Sequence, residues 1–140
     1  ITNVVRDVGE DWRKLGRVYL PQDEMERRGV TEDALSGEAL SLPTKAGYGD
    51  LLELVMGQAD ALYVEAEDGI RALPTNVQRG IRAAARMYRE IQNEVRAAGY
   101  DNLRRRAFVP LGRKLRLIAR DDYSRRKARL KQSASTRAGM

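Results

Sequence analysis

Three oxygen-bearing side chains recur four residues apart near the start of the chain. Asn3, Asp7 and Asp11 would lie along one stripe of a helix, because a helix turns by about 100° per residue. Carboxylates this close repel one another and need a cation, and carboxylate and amide oxygens suit Mg²⁺ or Mn²⁺. The chain has no Cys and no His, so the usual zinc ligands are absent. The spacing therefore predicts a magnesium or manganese site, although charges at this spacing are also typical of a solvated helix face.

The helix that positions this stripe is predicted to be amphipathic. Arg6 and Glu10 lie beside the stripe, and the opposite face is apolar. That apolar face comprises Val4, Val5, Val8 and Trp12. No Ser, Thr, Asp or Asn precedes Ile1 to cap the helix, so we expect the chain to be a fragment of a longer polypeptide.

Three segments resemble one known family, the squalene and phytoene synthases, and most closely its phytoene synthase branch. Residues 2–11 followed by 16–21 look like the second aspartate-rich motif of that family. Residues 85–91 are similar to the segment in which a tyrosine, here Tyr88, reaches a substrate diphosphate. Residues 100–110 resemble the closing motif in which an arginine binds diphosphate; Arg106 matches that position best and Arg105 second. Without the resemblance, Tyr88 would be interpreted as a core aromatic and the arginines as a soluble helix end.

The resemblance covers residues 1 to about 119 and implies the C-terminal half of an isoprenoid-synthase helical bundle. Such a bundle surrounds a deep apolar cavity with aspartate-rich helices at its mouth. The resemblance implies Mg²⁺ or Mn²⁺ held by Asn3, Asp7 and Asp11, with Asp7 and Asp11 as the catalytic carboxylates and Glu10 as a weaker candidate. The residues that would bind diphosphate oxygens are Arg6, Tyr88, Arg105 and Arg106.

The reaction implied by the resemblance is the head-to-head condensation of two geranylgeranyl diphosphates to phytoene through a cyclopropyl diphosphate intermediate. A squalene, dehydrosqualene or presqualene diphosphate synthase is the alternative within the same chemistry. The family's first aspartate-rich motif has no counterpart here. We therefore expect the chain to be inactive alone and to need an N-terminal half or a partner chain.

The remaining sequence predicts an all-α domain over residues 1–130. Apolar residues at helical spacing predict a long core helix over 43–73 and a second helix over 74–98 that Gly99 closes. Short helices are expected over 21–28 and after Thr31. A last helix is predicted over 110–130, followed by a basic disordered tail over 131–140.

Charge is distributed unevenly along the 140 residues, whose net charge is +6. Residues 104–140 contain thirteen Lys and Arg against Asp121 and Asp122, whereas residues 1–103 carry about −5. No apolar run approaches the length of a membrane span, no signal peptide is recognisable, and Cys is absent, so we expect a cytoplasmic protein. The basic end predicts contact with an anionic membrane surface. A basic helical module that binds nucleic acid or membrane is the alternative of another class, but without a recognised motif no nucleic acid is expected.

Overall fold

The computed structural model describes residues 1–37, 40–117 and 119. Its elements in chain order are α1 (Thr2–Leu15), α2 (Gln22–Arg27), a 3-10 turn (Asp33–Ser36), α3 (Leu42–Ala72) and α4 (Thr75–Ala97). Residues 111–117 are also helical, and none of the described residues forms a strand, which confirms the all-α prediction. The tail predicted over 131–140 lies outside the described residues, as does the predicted last helix from residue 120 onward.

Local signals end the helices close to where they were predicted. Gly16 closes α1 in the left-handed conformation, with φ 59°, and donates its N–H to Trp12 O at 2.9 Å. Gly99 follows α4 with φ 62°, as its predicted role requires. Helix α3 begins one residue earlier than predicted, because the Ser41 hydroxyl caps it by accepting the Thr44 N–H at 3.4 Å.

Helices α3 and α4 form an antiparallel hairpin that turns at Leu73 and Pro74. A ladder of arginine–carboxylate pairs joins them at intervals of seven residues, which is about two helical turns. The pairs are Arg82–Glu67 at 2.7 Å, Arg89–Asp60 at 2.7 Å and Arg96–Glu53 at 2.8 Å. Each pair is partly exposed and stabilises the fold little by itself. All three pairs can form together in only one alignment of α4 against α3.

The buried core lies at the end of the hairpin far from its turn. Val5 and Val8 of α1 are buried against it, and Val4 and Trp12 pack at its edge, as the amphipathic pattern of α1 predicted. The other helices and the connector after α1 supply most of the remaining core, chiefly Leu20, Met25, Leu35, Leu51, Leu52, Val55, Met56, Ile91 and Val95.

The predicted long helix over 43–73 is confirmed, but its burial in the core extends only to about Ala59, with Ile70 buried again near the turn. Leu62 of α3 is 52% exposed, and Val77 and Ile81 of α4 are each 41% exposed. Helix α1 and the connector cover only the far end of the hairpin, so most apolar residues near its turn have nothing packed over them in the described part of the chain. Among the described residues, none of the helices combines the length and the apolar character that a membrane span requires.

Gln92 of α4 provides a test of the core. Its side chain is 1% exposed, and neither its amide nitrogen nor its oxygen has a hydrogen-bond partner among the described residues. Replacing Gln92 with leucine is expected to raise the free energy of unfolding by about 1–2 kcal/mol, because an apolar side chain of similar size removes two unpaired buried polar atoms. Urea denaturation measures the change. Gln58→Leu, at an exposed position of α3, is the matched control, and a lower stability for Gln92→Leu would contradict the prediction.

Candidate functional site

The predicted metal-binding stripe lies on α1, where Asn3 is exposed and Asp7 and Asp11 are half-buried. Asp7 is bound by the neighbouring Arg6 in a fork. Arg6 Nε donates to Asp7 Oδ1 at 2.7 Å, and Arg6 Nη2 donates to Oδ2 at 2.6 Å. Such bidentate pairing is the geometry that arginine offers to carboxylates and phosphates.

A second arginine reaches the same carboxylate from the other end of the described chain. Arg106 Nε donates to Asp7 Oδ1 at 2.8 Å, and Arg106 Nη2 lies 3.4 Å from Oδ2. The same Nε is 3.4 Å from Glu10 Oε2, and Glu10 also pairs with Lys14 at 2.5 Å. We name Arg6, Asp7, Glu10 and Arg106 the arginine–aspartate cluster. Residues predicted separately from two segments thus meet at one place.

The charges of this cluster favour an ionised Asp7. Burial disfavours the carboxylate, but the hydrogen bonds from Arg6 and Arg106 outweigh it, so the pKa of Asp7 is lowered. The hydrogen bond to Asp7 likewise raises the pKa of Arg6. At neutral pH the cluster therefore presents a carboxylate held between two guanidinium groups.

A buried hydrogen-bond chain places the segment that carries Arg106. The Tyr48 hydroxyl of α3 donates to Asn102 Oδ1 at 2.8 Å, and Asn102 Nδ2 donates to Val5 O of α1 at 2.5 Å. Both side chains are buried, and burial raises the pKa of Tyr48, so its hydroxyl remains a donor. This chain ties α3, α1 and the residues before Arg106 together.

The backbone of Leu103 lies directly against α1. A Cβ atom added at Gly9 would lie 2.6 Å from both the Cα and the carbonyl carbon of Leu103, closer than such atoms approach in proteins. Arg13 donates to the Leu103 carbonyl oxygen, and Arg104 Nε donates to Gly37 O at 2.9 Å. The glycine thus allows the approach that brings Arg106 over Asp7.

Tyr48→Phe tests whether this hydrogen-bond chain positions Arg106. We expect a loss of about 1–2 kcal/mol of stability, because the Asn102 oxygen would remain buried without its donor. Thermal and urea denaturation measure the loss. Tyr19→Phe is the control, since Tyr19 is 52% exposed and its hydroxyl accepts one long hydrogen bond, of 3.4 Å, from Arg17 Nη1. Equal effects of the two substitutions would show that the buried chain has no special role.

An apolar groove of about 360 Å³ opens beside the stripe. Its walls come from the first residues of α1, the exposed part of α3, and Tyr88 of α4. Tyr88 is 48% exposed and is therefore not the core aromatic that its helical position alone would suggest. It lines the groove together with Asn3.

Besides Asn3 and Tyr88, which line the groove, Arg105 and Asp11 also lie outside the arginine–aspartate cluster. Arg105 is exposed and lines a depression that it shares with Glu94 and Phe108, and none of its described contacts reaches Asp7. Asp11 shares the helical stripe but makes no side-chain hydrogen bond to the residues that the structure describes. The structure therefore distinguishes Arg106 from Arg105, which was the second match to the position of the diphosphate-binding arginine in the family motif.

The donor set on α1 matches a hard divalent cation in its chemistry. Within residues 1–37, 40–117 and 119, no group of three or more Asp or Glu side chains could hold a metal ion. One amide and two carboxylates on one stripe are nevertheless hard oxygen donors, and Mg²⁺ is commonly held by one or two carboxylates together with water and phosphate oxygens. Asn3, Asp7 and Asp11 thus have the donor chemistry that Mg²⁺ requires, and both oxygens of Asp7 also accept hydrogen bonds from arginines.

Sequence reasoning missed the residues that support this cluster. Gly9 stands in the middle of an amphipathic helix, where glycine costs about 1 kcal/mol relative to alanine, and that cost was the available signal of a close approach. Asn102 lies just after the end of α4 and is buried beneath α1. Its partner Tyr48 gave no sequence signal distinct from that of any core aromatic.

Comparison with known proteins identifies relatives of this chain. The family described as Squalene/phytoene synthase matches residues 1–113. The phytoene synthase of Rhodobacter capsulatus is 42% identical over 124 residues, which cover 89% of this chain and 35% of that protein. The chloroplastic phytoene synthase 3 of Zea mays is 37% identical over 116 residues, covering 82% and 26% respectively.

A solved structure extends the likeness to three dimensions. The crystal structure of a dehydrosqualene synthase in complex with a ligand is similar with a TM-score of 0.72 and 31% identity, covering 90% of this chain and 43% of that one. This likeness confirms the predicted fold class. The chain spans roughly a third or less of the two sequence relatives and less than half of the structural one.

Proposed function

This chain belongs to the squalene/phytoene synthase family, and we propose that it forms the diphosphate-binding side of a prenyltransferase active site. The reaction we propose is the head-to-head condensation of two geranylgeranyl diphosphates to phytoene through a cyclopropyl diphosphate. The observation that carries the proposal is the convergence of Arg6 and Arg106 on Asp7, although Arg106 lies 99 residues from Asp7 in the sequence.

Arginine forks suit the diphosphate group of such a substrate. In the structure both forks are aimed at the Asp7 carboxylate, whose oxygens resemble those of a phosphate in spacing and charge. A diphosphate bound here would accept hydrogen bonds from Arg6, Arg106 and the hydroxyl of Tyr88. These groups would stabilise the negative charge that develops on the departing diphosphate.

The oxygen donors of α1 would complement the arginines. Asn3, Asp7 and Asp11 would hold Mg²⁺ or Mn²⁺, which when bound supplies further positive charge to the leaving group. Asp7 would then be shared between the arginines and the metal site. The family's other aspartate-rich motif would come from an N-terminal half or a partner chain.

The apolar groove would serve the prenyl chain. It begins at Asn3 and continues along the exposed apolar face of the α3–α4 hairpin, past Leu62. An allylic cation formed at the mouth of this groove must be kept from water, and apolar walls accomplish this. The exposed apolar residues near the turn of the α3–α4 hairpin are the observation that supports the proposal that this face lines a cavity.

A dehydrosqualene or squalene synthase is the second candidate, because the solved structure reported above is a dehydrosqualene synthase. The two candidates differ in substrate length and not in the diphosphate chemistry. Analysis of the products formed from C15 and C20 diphosphates separates them. A product from the C15 substrate alone would favour the second candidate.

Diphosphate binding by the 140-residue chain tests the proposal, and Arg106→Gln and Arg105→Gln form a matched pair. We expect calorimetry with inorganic diphosphate and Mg²⁺ to show binding that Arg106→Gln weakens about tenfold or more, because a charge-assisted hydrogen bond contributes about 1.5–3 kcal/mol. Arg105→Gln should have a much smaller effect. If the chain binds no diphosphate, or if the two substitutions act equally, the proposed site is wrong.

An assay of turnover tests the expectation that the active site is completed by an N-terminal half or a partner chain. The chain would be assayed with geranylgeranyl diphosphate alone and together with the part of the Rhodobacter capsulatus enzyme that it does not match. Phytoene is expected only from the mixture. Turnover by the chain alone would show that it needs no complementary half.

A further inference from the structure

Helix α4 is followed by two residues with left-handed backbone conformation. Gly99 and Tyr100 both have φ 62°, and Tyr100 is the one non-glycine residue with a positive φ among those that the structure describes. Glycine adopts this conformation readily, whereas the Cβ atom of tyrosine is crowded in it. The Tyr100 N–H donates to Val95 O at 3.0 Å and closes the helix. A large residue keeps such a conformation only where its surroundings hold it there.

Two positions one turn apart on α3 hold the side chain of Tyr100. Its ring lies against the backbone of Gly49, where an added Cβ atom would be 3.3 Å from Tyr100 Cδ2. Its hydroxyl donates to Glu53 Oε1 at 2.9 Å. The hydrogen bond to Glu53 raises the pKa of Tyr100, so the hydroxyl remains a donor. The missing side chain at Gly49 thus gives the ring its place, and Glu53 fixes its outer end.

Glu53 is itself held in one orientation by α4. Arg96 Nε donates to Glu53 Oε1 at 2.8 Å, and Arg96 Nη2 donates to Oε2 at 2.9 Å. A bidentate pair of this kind fixes the plane of the carboxylate. The acceptor for the Tyr100 hydroxyl is therefore already oriented, and the Arg96–Glu53 pair of the ladder has a second use at the end of α4.

The residues after Tyr100 lead directly to the arginine–aspartate cluster. Asn102 is anchored beneath α1, and Leu103 packs against the same helix. Arg106 follows and donates to Asp7 Oδ1 at 2.8 Å. A residue in helical conformation at position 100 would extend α4 along its axis. The left-handed conformation of Tyr100 instead turns the chain towards α1.

We infer that Tyr100 is a positioning residue for the diphosphate site proposed above. The contacts of its ring with Gly49 and of its hydroxyl with Glu53 hold the left-handed turn at the end of α4. That turn aims Arg106 at Asp7. The effect on diphosphate rests on the proposed function, but the alignment of Arg106 can be measured without any ligand.

Diphosphate binding by the 140-residue chain gives the first test. Calorimetry with inorganic diphosphate and Mg²⁺ would compare the unsubstituted chain with Tyr100→Phe, which removes the hydroxyl and keeps the ring. We expect Tyr100→Phe to weaken binding about fivefold, the effect of losing one typical hydrogen bond. In an Arg106→Gln background the same substitution should change binding by less than about twofold, because a positioning residue acts through the group that it positions. Equal losses in both backgrounds would show a general structural role and would overturn the inference.

Glu53→Ala and Glu67→Ala form a matched pair for the anchor of the hydroxyl. The two side chains are 41% and 38% exposed and each pairs with an arginine of α4, but Glu53 is the one that accepts the Tyr100 hydroxyl. Glu53→Ala should weaken diphosphate binding about fivefold, whereas Glu67→Ala should leave it within about twofold. Equal effects would assign the loss to the ion pairs of the hairpin and would overturn the inference. Circular dichroism verifies that the variants retain their helices.

The Nε–H group of Arg106 separates this inference from the proposed function. In a nitrogen–proton NMR spectrum of the ligand-free chain, its signal is assigned by its loss in Arg106→Gln, and its hydrogen bond to Asp7 slows exchange with water. We expect Tyr100→Phe to speed this exchange about fivefold. An unchanged exchange rate would overturn the positioning role, even in a chain that binds diphosphate. Faster exchange in a chain whose unsubstituted form binds no diphosphate would refute the proposed function and support the positioning role of Tyr100.

Discussion

Replacing Asp7 with asparagine is expected to abolish the magnesium dependence of diphosphate binding. The side chain keeps its size, but it loses the charge that would attract the ion, and we expect the apparent affinity in Mg²⁺ to fall about a hundredfold, at the upper end of the effects seen when metal sites lose supporting groups. Titration calorimetry with inorganic diphosphate, with and without Mg²⁺, measures the change. Activity of the complemented enzyme should fall in parallel.

Binding without metal should respond in the opposite direction. Arg6 and Arg106 both direct their forks at Asp7, so removing its charge leaves Arg6 without its carboxylate partner and Arg106 with only the longer contact to Glu10, and both can then bind a diphosphate. Metal-free affinity should therefore stay constant or rise in Asp7→Asn, whereas Arg106→Gln should weaken binding under both conditions. Asp23→Asn, in an exposed pair with Arg27 on α2, is the control and should change neither. An equal loss with and without Mg²⁺ in Asp7→Asn would contradict the proposed metal role.

Replacing Gly9 with alanine is expected to cause the largest loss of stability. The new Cβ would stand 2.6 Å from two backbone atoms of Leu103, and backbone cannot rotate away as a side chain can. Overpacking of this kind costs about 1–3 kcal/mol and more where backbone must move. We expect a loss of about 3 kcal/mol in urea denaturation, together with weaker diphosphate binding because Arg106 follows Leu103 away from Asp7.

Gly57→Ala is the matched control for this substitution. Gly57 also lies inside a helix, but a Cβ there would have no neighbour within 4 Å. Alanine at that position should stabilise α3 by up to about 1 kcal/mol, because it restricts the unfolded chain. If Gly9→Ala were also stabilising, the close contact between α1 and Leu103 would be wrong.

Local patterns in the sequence were sufficient to predict the helices, whereas the family was predicted from the resemblance of three motifs. Helical spacing of apolar residues, together with Gly99 at the end of a helix, depends on neighbours within a turn or two, and these predictions were confirmed. The same is true of the acidic stripe on α1, whose members share one face of any helix. The sequence also contains a local signal of the pairing between α3 and α4. Acidic and basic residues recur every seven positions along α3 and α4, and this spacing anticipates the ladder.

Tertiary structure decided which residues lie opposite the stripe of Asn3, Asp7 and Asp11 on α1. Arg105 and Arg106 are equivalent in sequence, and only the anchoring of Asn102 and the passage of Leu103 over Gly9 bring Arg106 to Asp7. The exposure of apolar residues near the turn of the α3–α4 hairpin likewise could not be predicted from their helical spacing, because an apolar face has the same pattern whether or not another element covers it. Contacts between segments a hundred residues apart depend on how closely their backbones pack in the folded protein. A local sequence pattern carries no information about that separation.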